Sequence, residues 1–412
     1  MKPFFAILVI CSFFLAGCTG LAMQPAALAF DENPAPTVTR ILAPTTTNIT
    51  TQAPLYTALP PTQTAAPEVT ATAVPFSYVF GPNSFPKDIN PLTGLPADDP
   101  TLLIRRPIVV KVTNFPRSVR PQWGLSLADH VFEYYIGDNM SRFVGVFYGR
   151  DASRVGPIRS ARLFDEHIMR MYNGIFIFGW ADDQVLEFLL APEIKSRLVV
   201  ERPDNCPPLC RIGSDGAYNN LFADTALIGP YLSDRGTSNK RQNLDGLKFD
   251  LTPPKSANPG TKFFLRYTAV SYHYWEFNPS TGRYYRYQED EDAVGGKADH
   301  YAPLTDSLTS LQLSADNVVV LQVPHQQFLK SNSTEILDQI VNGKGSGFAF
   351  RNGLVYPITW THDSPNRLIQ LQLPNGITYS LKPGTVWYEI IGETSTIEPA
   401  KPGEYKFTFS MP

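Results

Sequence analysis

The chemistry-bearing residues of this sequence are concentrated in one basic stretch. Between positions 105 and 170 stand Arg105, Arg106, Arg117, Arg120, Arg142, Arg150, Arg154, Arg159, Arg162 and Arg170, with Lys111 as the one lysine. The bias toward arginine matters because a planar guanidinium grips a carboxylate or phosphate through two N–H bonds at once, whereas an ammonium acts as a point charge. The densest part reads Arg154-Val-Gly-Pro-Ile-Arg159-Ser160-Ala-Arg162 and leads into a helical pattern. Ser160 has the residue type of an N-cap, which places Arg162 in the first turn. A cation there opposes the helix dipole, costing a few tenths to about 1 kcal/mol unless an acid or a bound anion offsets it. Unpaired helix N–H groups, the Ser160 hydroxyl and the guanidinium groups of Arg154, Arg159 and Arg162 together make an anion site. Asn114, Gln122, Glu133 and Arg142 are expected nearby. The competing expectation is internal pairing of Arg159 and Arg162 with Glu133, Asp165 or Glu166.

Other reactive groups are sparser. Glu133 near Arg142, or Asp182 followed by Asp183, are candidates for the general base of a hydrolase or transferase, although Asp182 also suits a helix N-cap. The six histidines, at 130, 167, 273, 300, 325 and 362, show no HExxH and no close pair. No zinc-hydrolase spacing, metal site or other cofactor is expected. Cys206 and Cys210, in Asp-Asn-Cys-Pro-Pro-Leu-Cys-Arg, read as a small loop-closing disulfide in an oxidising compartment. Free thiols are the alternative, and a metal site would require further Cys or His nearby.

Strand-like runs that would position these groups cover 107–113, 131–136, 143–148 and 175–178. A helical face built from Phe164, Ile168, Met171 and Tyr172 falls between the last two, and a second helix follows over 183–190. A loop-like, Pro- and Gly-containing region then marks a boundary. Beyond it the pattern is largely β, over 263–268, 271–277, 284–287, 318–323, 347–351, 368–373 and 386–391. Asn352-Gly353 and Asn375-Gly376 are hairpin signals. The expected fold is α+β, an N-terminal mixed-sheet α/β domain (79–240), a linker (241–260) and a mainly antiparallel β domain (261–412).

The N-terminus is an address. Lys2 precedes an apolar run from Phe4 to Leu15 that is short for a bilayer span and ends Leu15-Ala16-Gly17-Cys18. This ending resembles the bacterial lipobox, which implies cleavage before Cys18, lipidation of its thiol and a protein tethered to the extracytoplasmic face of the cell membrane. Residues 19–78 are dominated by Thr, Ala and Pro with few charges, and read as a disordered stalk that reaches up to roughly 180 Å if polyproline-like.

The whole chain has 35 Lys+Arg against 38 Asp+Glu, so nothing drives it globally toward nucleic acid. Its 412 residues are enough for two or three domains with cores of their own, so disulfides are not a condition of folding. Several motifs fall in a recognisable order: Asn90-Pro-Leu-Thr-Gly-Leu-Pro96, Arg120-Pro121-Gln122, Ser141-Arg142-Phe143, Gly156-Pro-Ile-Arg-Ser-Ala-Arg162, Gly282-Arg-Tyr-Tyr-Arg286 and Lys382-Pro-Gly-Thr-Val-Trp387. Together they resemble the YerB-like bacterial lipoprotein family, a domain of unknown function paired with a β-rich C-terminal partner. The resemblance implies a surface lipoprotein without an assigned reaction. Gly179-Trp180-Ala181 and Ala217-Tyr218-Asn219 depart from that pattern at places where Ser and His are expected. The leading expectation is a non-catalytic envelope protein that binds an anionic or peptide- or glycan-like ligand through the Arg-rich helix start. An envelope hydrolase or transferase, and a scaffold built on Tyr272, Tyr274, Tyr284, Tyr285 and Tyr287, are the alternatives.

Overall fold

Runs of β-branched and aromatic residues lay down the strands. The computed structural model describes residues 78–412 apart from 214–217, 256 and 331–334. The signal segment, Cys18 and the stalk up to residue 77 lie outside the described residues. In the first half, β1 (Ile108–Thr113), β2 (His130–Gly137), β3 (Met140–Phe147), β4 (Ile175–Phe178) and β5 (Leu198–Val200) alternate with helices α1 (Leu163–Met171) and α2 (Asp183–Leu189). Every residue of β1 and β2 is buried, as expected of strands covered on both faces.

Helix α1 starts later than a Ser160 cap predicts. Its N-cap is Arg162, whose backbone N–H donates to the Asp165 carboxylate at 2.7 Å. Asp165 supplies the reciprocal half of a capping box, so the helix does not use the Ser160 hydroxyl. At α2, Asp182 accepts from the Gln184 N–H at 3.1 Å and is the N-cap.

The second half provides β6 (Lys262–Arg266), β7 (Tyr272–Asn278), β8 (Arg283–Glu289), β9 (Tyr301–Pro303), β10 (Asn317–Val323), the hairpin β11–β12 (His325–Lys330 and Glu335–Gln339), β13 (Gly343–Arg351), β14 (Leu354–His362), β15 (Val386–Gly392), β16 (Thr396–Lys401) and β17 (Glu404–Thr408). Asn352 and Gly353 join β13 to β14 with φ of 55° and 73°, both in the left-handed region that a tight primed hairpin turn demands. The described chain is therefore mostly β with few helices.

The two halves share one sheet. Its order is Asn258–Pro259, β14, β13, β10, β15, β2, β3, β1, β4, β5, with Gln370–Gln372 added on β14. The junction is the parallel pair β15–β2, in register from Val386 opposite His130 to Ile390 opposite Tyr134. A second sheet, ordered β9-β8-β7-β6-β17-β16, packs over it. The stretch at 241–260, linker-like in composition, contains Lys248–Asp250, which pairs with Val79–Phe80 and Ser380–Leu381. A three-residue strand among Pro, Gly and Asp is too short to show any alternation.

Because β2 has a neighbour on each side, residues 79–240 produced alone would expose a long apolar strand edge. They are expected to be insoluble or unfolded, where residues 79–412 give a cooperative unfolding transition by circular dichroism.

Strand alternation divides the core into two layers. Val109, Phe132, Tyr134, Val144, Tyr388 and Ile390 face the helices. Val110, Val131, Phe143, Trp275, Trp387 and Ile391 fill the space between the sheets. Tyr272 and Tyr284 are buried, and Tyr274 stacks on Tyr287 with ring centroids 4.5 Å apart. Tyr274, Tyr285 and Tyr287 are half-buried.

Candidate functional site

The same alternation separates the residues expected to lie together. Ser141 and Arg142 are neighbours on β3 and point to opposite faces. One set collects beside α1, the other between the sheets.

Beside α1, the Arg142 Nη1 donates to the Ser160 carbonyl at 2.6 Å, and the Arg162 Nη1 to the Glu335 carbonyl at 3.4 Å. The Arg159 guanidinium has neither a hydrogen bond nor an ion pair among the described residues, and the Nε atoms of Arg159 and Arg162 are buried without a partner. No carboxylate lies within ion-pair distance of any of the three among the described residues. The expected alternative, pairing with Glu133, Asp165 or Glu166, does not occur: Glu166 is taken by Arg170, and Asp165 by Lys111 at 3.0 Å, by the Tyr134 hydroxyl and by the Arg162 backbone.

The charges strain one another. Burial, then the like charges of Arg162 and Arg159, lower Arg142 to about 9. Burial lowers Lys111 to about 7, with Asp165 opposing and Arg142 reinforcing the shift. Three half-buried guanidinium groups above a buried lysine, with one carboxylate among them, make a site of excess positive charge. Ser160 contributes its carbonyl, which is already occupied by Arg142. Lys111 and Tyr134 were not legible as site residues, yet a lysine within Ile-Val-Val-Lys-Val-Thr was the visible signal of a buried charge.

Between the sheets, Glu133 accepts from the Ser141 hydroxyl at 2.6 Å and the Asn114 amide at 3.5 Å, and its second oxygen lies 2.6 Å from Arg286. Arg286 also reaches Glu389 at 3.1 Å, which accepts from Trp275 at 2.8 Å and contacts His273 at 3.0 Å. Gln122 bonds to the Thr113 carbonyl and to Asn114, and Arg120 to Asn114 and Glu289. Burial raises Glu133 and Glu389, with Arg286 opposing in both. Burial, reinforced by Arg286, holds His273 well below its usual range. Glu133, His273 and Glu389 bring ligand atoms within 4.8 Å of one another, but the Arg286 guanidinium already supplies the cation there.

Asn114, Gln122 and Glu133 therefore belong to an ionic core and not to the arginine site. Glu133 is wholly buried within the ionic core, and Asp182, half-buried, caps α2 through one oxygen while Asp183 is exposed beside it. Glu389, His273 and Arg286 stand on three separate strands, Glu389 far in sequence from the other two, and only the sheet pairing brings them together.

Arg154 stands apart from the other arginines. Its guanidinium lies 4.6 Å from the Trp123 ring centroid and 5.6 Å from that of Phe222. Cys206 and Cys210 form a disulfide.

The described chain is a mostly β protein in which two sheets enclose an ionic core and an unneutralised arginine cluster stands at a helix start. Residues 92–238 match the family model described as "Protein of unknown function (DUF3048) N-terminal domain", and residues 263–388 match that of its C-terminal domain; the chain belongs to this family. It is 24% identical over 319 residues to "Putative lipoprotein YerB" of Bacillus subtilis (strain 168), across 76% of this chain and 88% of the relative. It also resembles the crystal structure of YerB protein from Bacillus subtilis, with a TM-score of 0.61 at 22% identity, covering 74% of this chain and 96% of that one. The structural match shows the shared fold.

Proposed function

We propose that this protein is a lipid-tethered envelope protein, anchored through Cys18 on the extracytoplasmic face of the membrane, that binds an anionic ligand at Arg142, Arg159 and Arg162. Residues 19–78 act as the stalk that holds the folded part away from the lipid. The observation that carries the reading is the absence of any carboxylate partner, among the described residues, for three adjoining half-buried arginines. A protein spends stability to keep like charges together, and a bound anion relieves the repulsion while gaining charge-assisted hydrogen bonds. The relative's description as a lipoprotein and the Leu-Ala-Gly-Cys ending support the location.

The test uses inorganic pyrophosphate as a probe of the site. Arg142→Gln with Arg162→Gln is expected to weaken pyrophosphate binding by at least tenfold in calorimetry. The unliganded variant should unfold at the same or a higher urea concentration than the wild type, because repulsion has been removed. Loss of stability with no pyrophosphate binding by the wild type would show the arginines to be structural. Cys18→Ser is expected to abolish lipid labelling and release the protein to the medium.

A further inference from the structure

The segment carrying Arg159 is flanked on both sides. On one side, the Ile158 N–H donates to the Leu221 carbonyl at 2.8 Å, and Val155 and Ala223 exchange bonds of 2.8 and 3.0 Å. On the other, the Gly179 N–H donates to the Arg159 carbonyl at 3.1 Å and the Ala161 N–H to the Trp180 carbonyl at 2.7 Å. Chain pairing thus sets Trp180 along one margin of the arginine segment. Tyr218 belongs to the chain on the other side, three residues before Leu221. Trp180 is 55% exposed and Tyr218 79% exposed, whereas most aromatic side chains of the described core are closed to solvent. Further along the same segment, Arg154 lies over Trp123 and Phe222.

We propose that Trp180 and Tyr218 are stacking platforms for sugar rings, so that the ligand of the arginine site is an anionic glycan whose rings lie on the aromatic faces while its acid groups meet Arg142, Arg159 and Arg162. This deepens the anion-binding reading and rests on it. The negative face of an aromatic ring attracts the partly positive C–H bonds of a pyranose, and the flat apolar contact needs no hydrogen-bond register. A guanidinium supplies the two-point contact that a uronate or a sugar phosphate accepts. Exposed Trp and Tyr beside Arg are also common at protein interfaces. Here, however, Trp180 and Tyr218 stand on chain segments that flank the arginine segment on opposite sides, an arrangement suited to a narrow chain that carries alternating rings and charges.

The test measures binding of trigalacturonate, hexaglutamate and tri(glycerol phosphate) to the protein from residue 79 onward, together with inorganic pyrophosphate. Trigalacturonate is expected to bind at least tenfold more tightly than the ring-free acids. Trp180→Ala with Tyr218→Ala should remove that advantage and leave pyrophosphate binding within twofold of wild type. Equal affinity of this double variant and the wild type for trigalacturonate would overturn the stacking role and leave the anion site standing. Tighter binding of hexaglutamate, lost in the same variant, would overturn the glycan in favour of an acidic protein segment. If neither pyrophosphate nor trigalacturonate binds the wild type, the anion-binding reading itself falls.

Discussion

Replacing Arg286 by methionine is expected to lower the unfolding free energy by about 3–5 kcal/mol, the range measured when one partner of a buried ion pair is removed. Arg286 is wholly buried and holds both Glu133, at 2.6 Å, and Glu389, at 3.1 Å. These glutamates lie directly opposite each other on the parallel strands β2 and β15. Without the guanidinium, two carboxyl groups remain side by side with neutral His273, so at least one must hold a proton or stay charged in a low-dielectric core. The deficit should shrink when pH is lowered from 7 to 5, since protonation relieves the unpaired charge. It should shrink also in Arg286→Met combined with Glu133→Gln and Glu389→Gln, where no buried charge is orphaned. Urea unfolding of the single and triple variants measures both effects. A single variant within about 1 kcal/mol of wild type would mean that the cluster is not what joins the sheets.

That joint illustrates which features can be read from a linear sequence. The strands from Ile108 to Thr113 and from Ile175 to Phe178 were legible because runs of Val, Ile and Phe are long enough to show their type. Asp182 was legible as a cap because capping is local. The Arg159–Arg162 cluster was legible for the same reason, since its members are close in sequence. The Glu133–Arg286–Glu389 network was not, because its members are separated by more than 100 positions and meet only through a parallel strand pair that closes late in the chain. The sequence places Glu133 and Arg142 together near the arginine site. The pleat sends them to opposite faces, and a one-residue offset along a strand is enough to do so. Ser160 failed as a cap because Asp165, reaching back to the Arg162 N–H, ends the contest in favour of a later start.

Relative to Glu289→Gln, the wild type is expected to lose about 3 kcal/mol of stability between pH 4.5 and 7. Glu289 is buried and bound by Arg120 through its carboxylate at 2.8 Å and its carbonyl at 2.6 Å, with the Gln288 amide on the other oxygen. Burial pushes its carboxyl up to about 7; Arg120 and Arg117 oppose the shift, and Glu133 adds to it. Below pH 4.5 the group is protonated in both folded and unfolded chains. As pH rises, the unfolded chain releases the proton first while the folded chain retains it, so stability falls until the folded group also ionises near 7. Glu133 and Glu389 are raised as well and act in the same sense. His273, His130 and His325 are depressed by burial and act oppositely, since the unfolded chain binds their protons first as pH falls through 6.5. The wild-type profile is therefore a sum of opposed terms, and the difference between wild type and Glu289→Gln isolates one of them. Glutamine keeps the shape and an acceptor for Arg120 but cannot ionise. Relative to the variant, the wild type should lose ground from pH 5 to 7.5 and then level off. Parallel profiles across that range would show that Glu289 ionises in the folded protein as readily as in the unfolded chain, and that Arg120 fully compensates its burial.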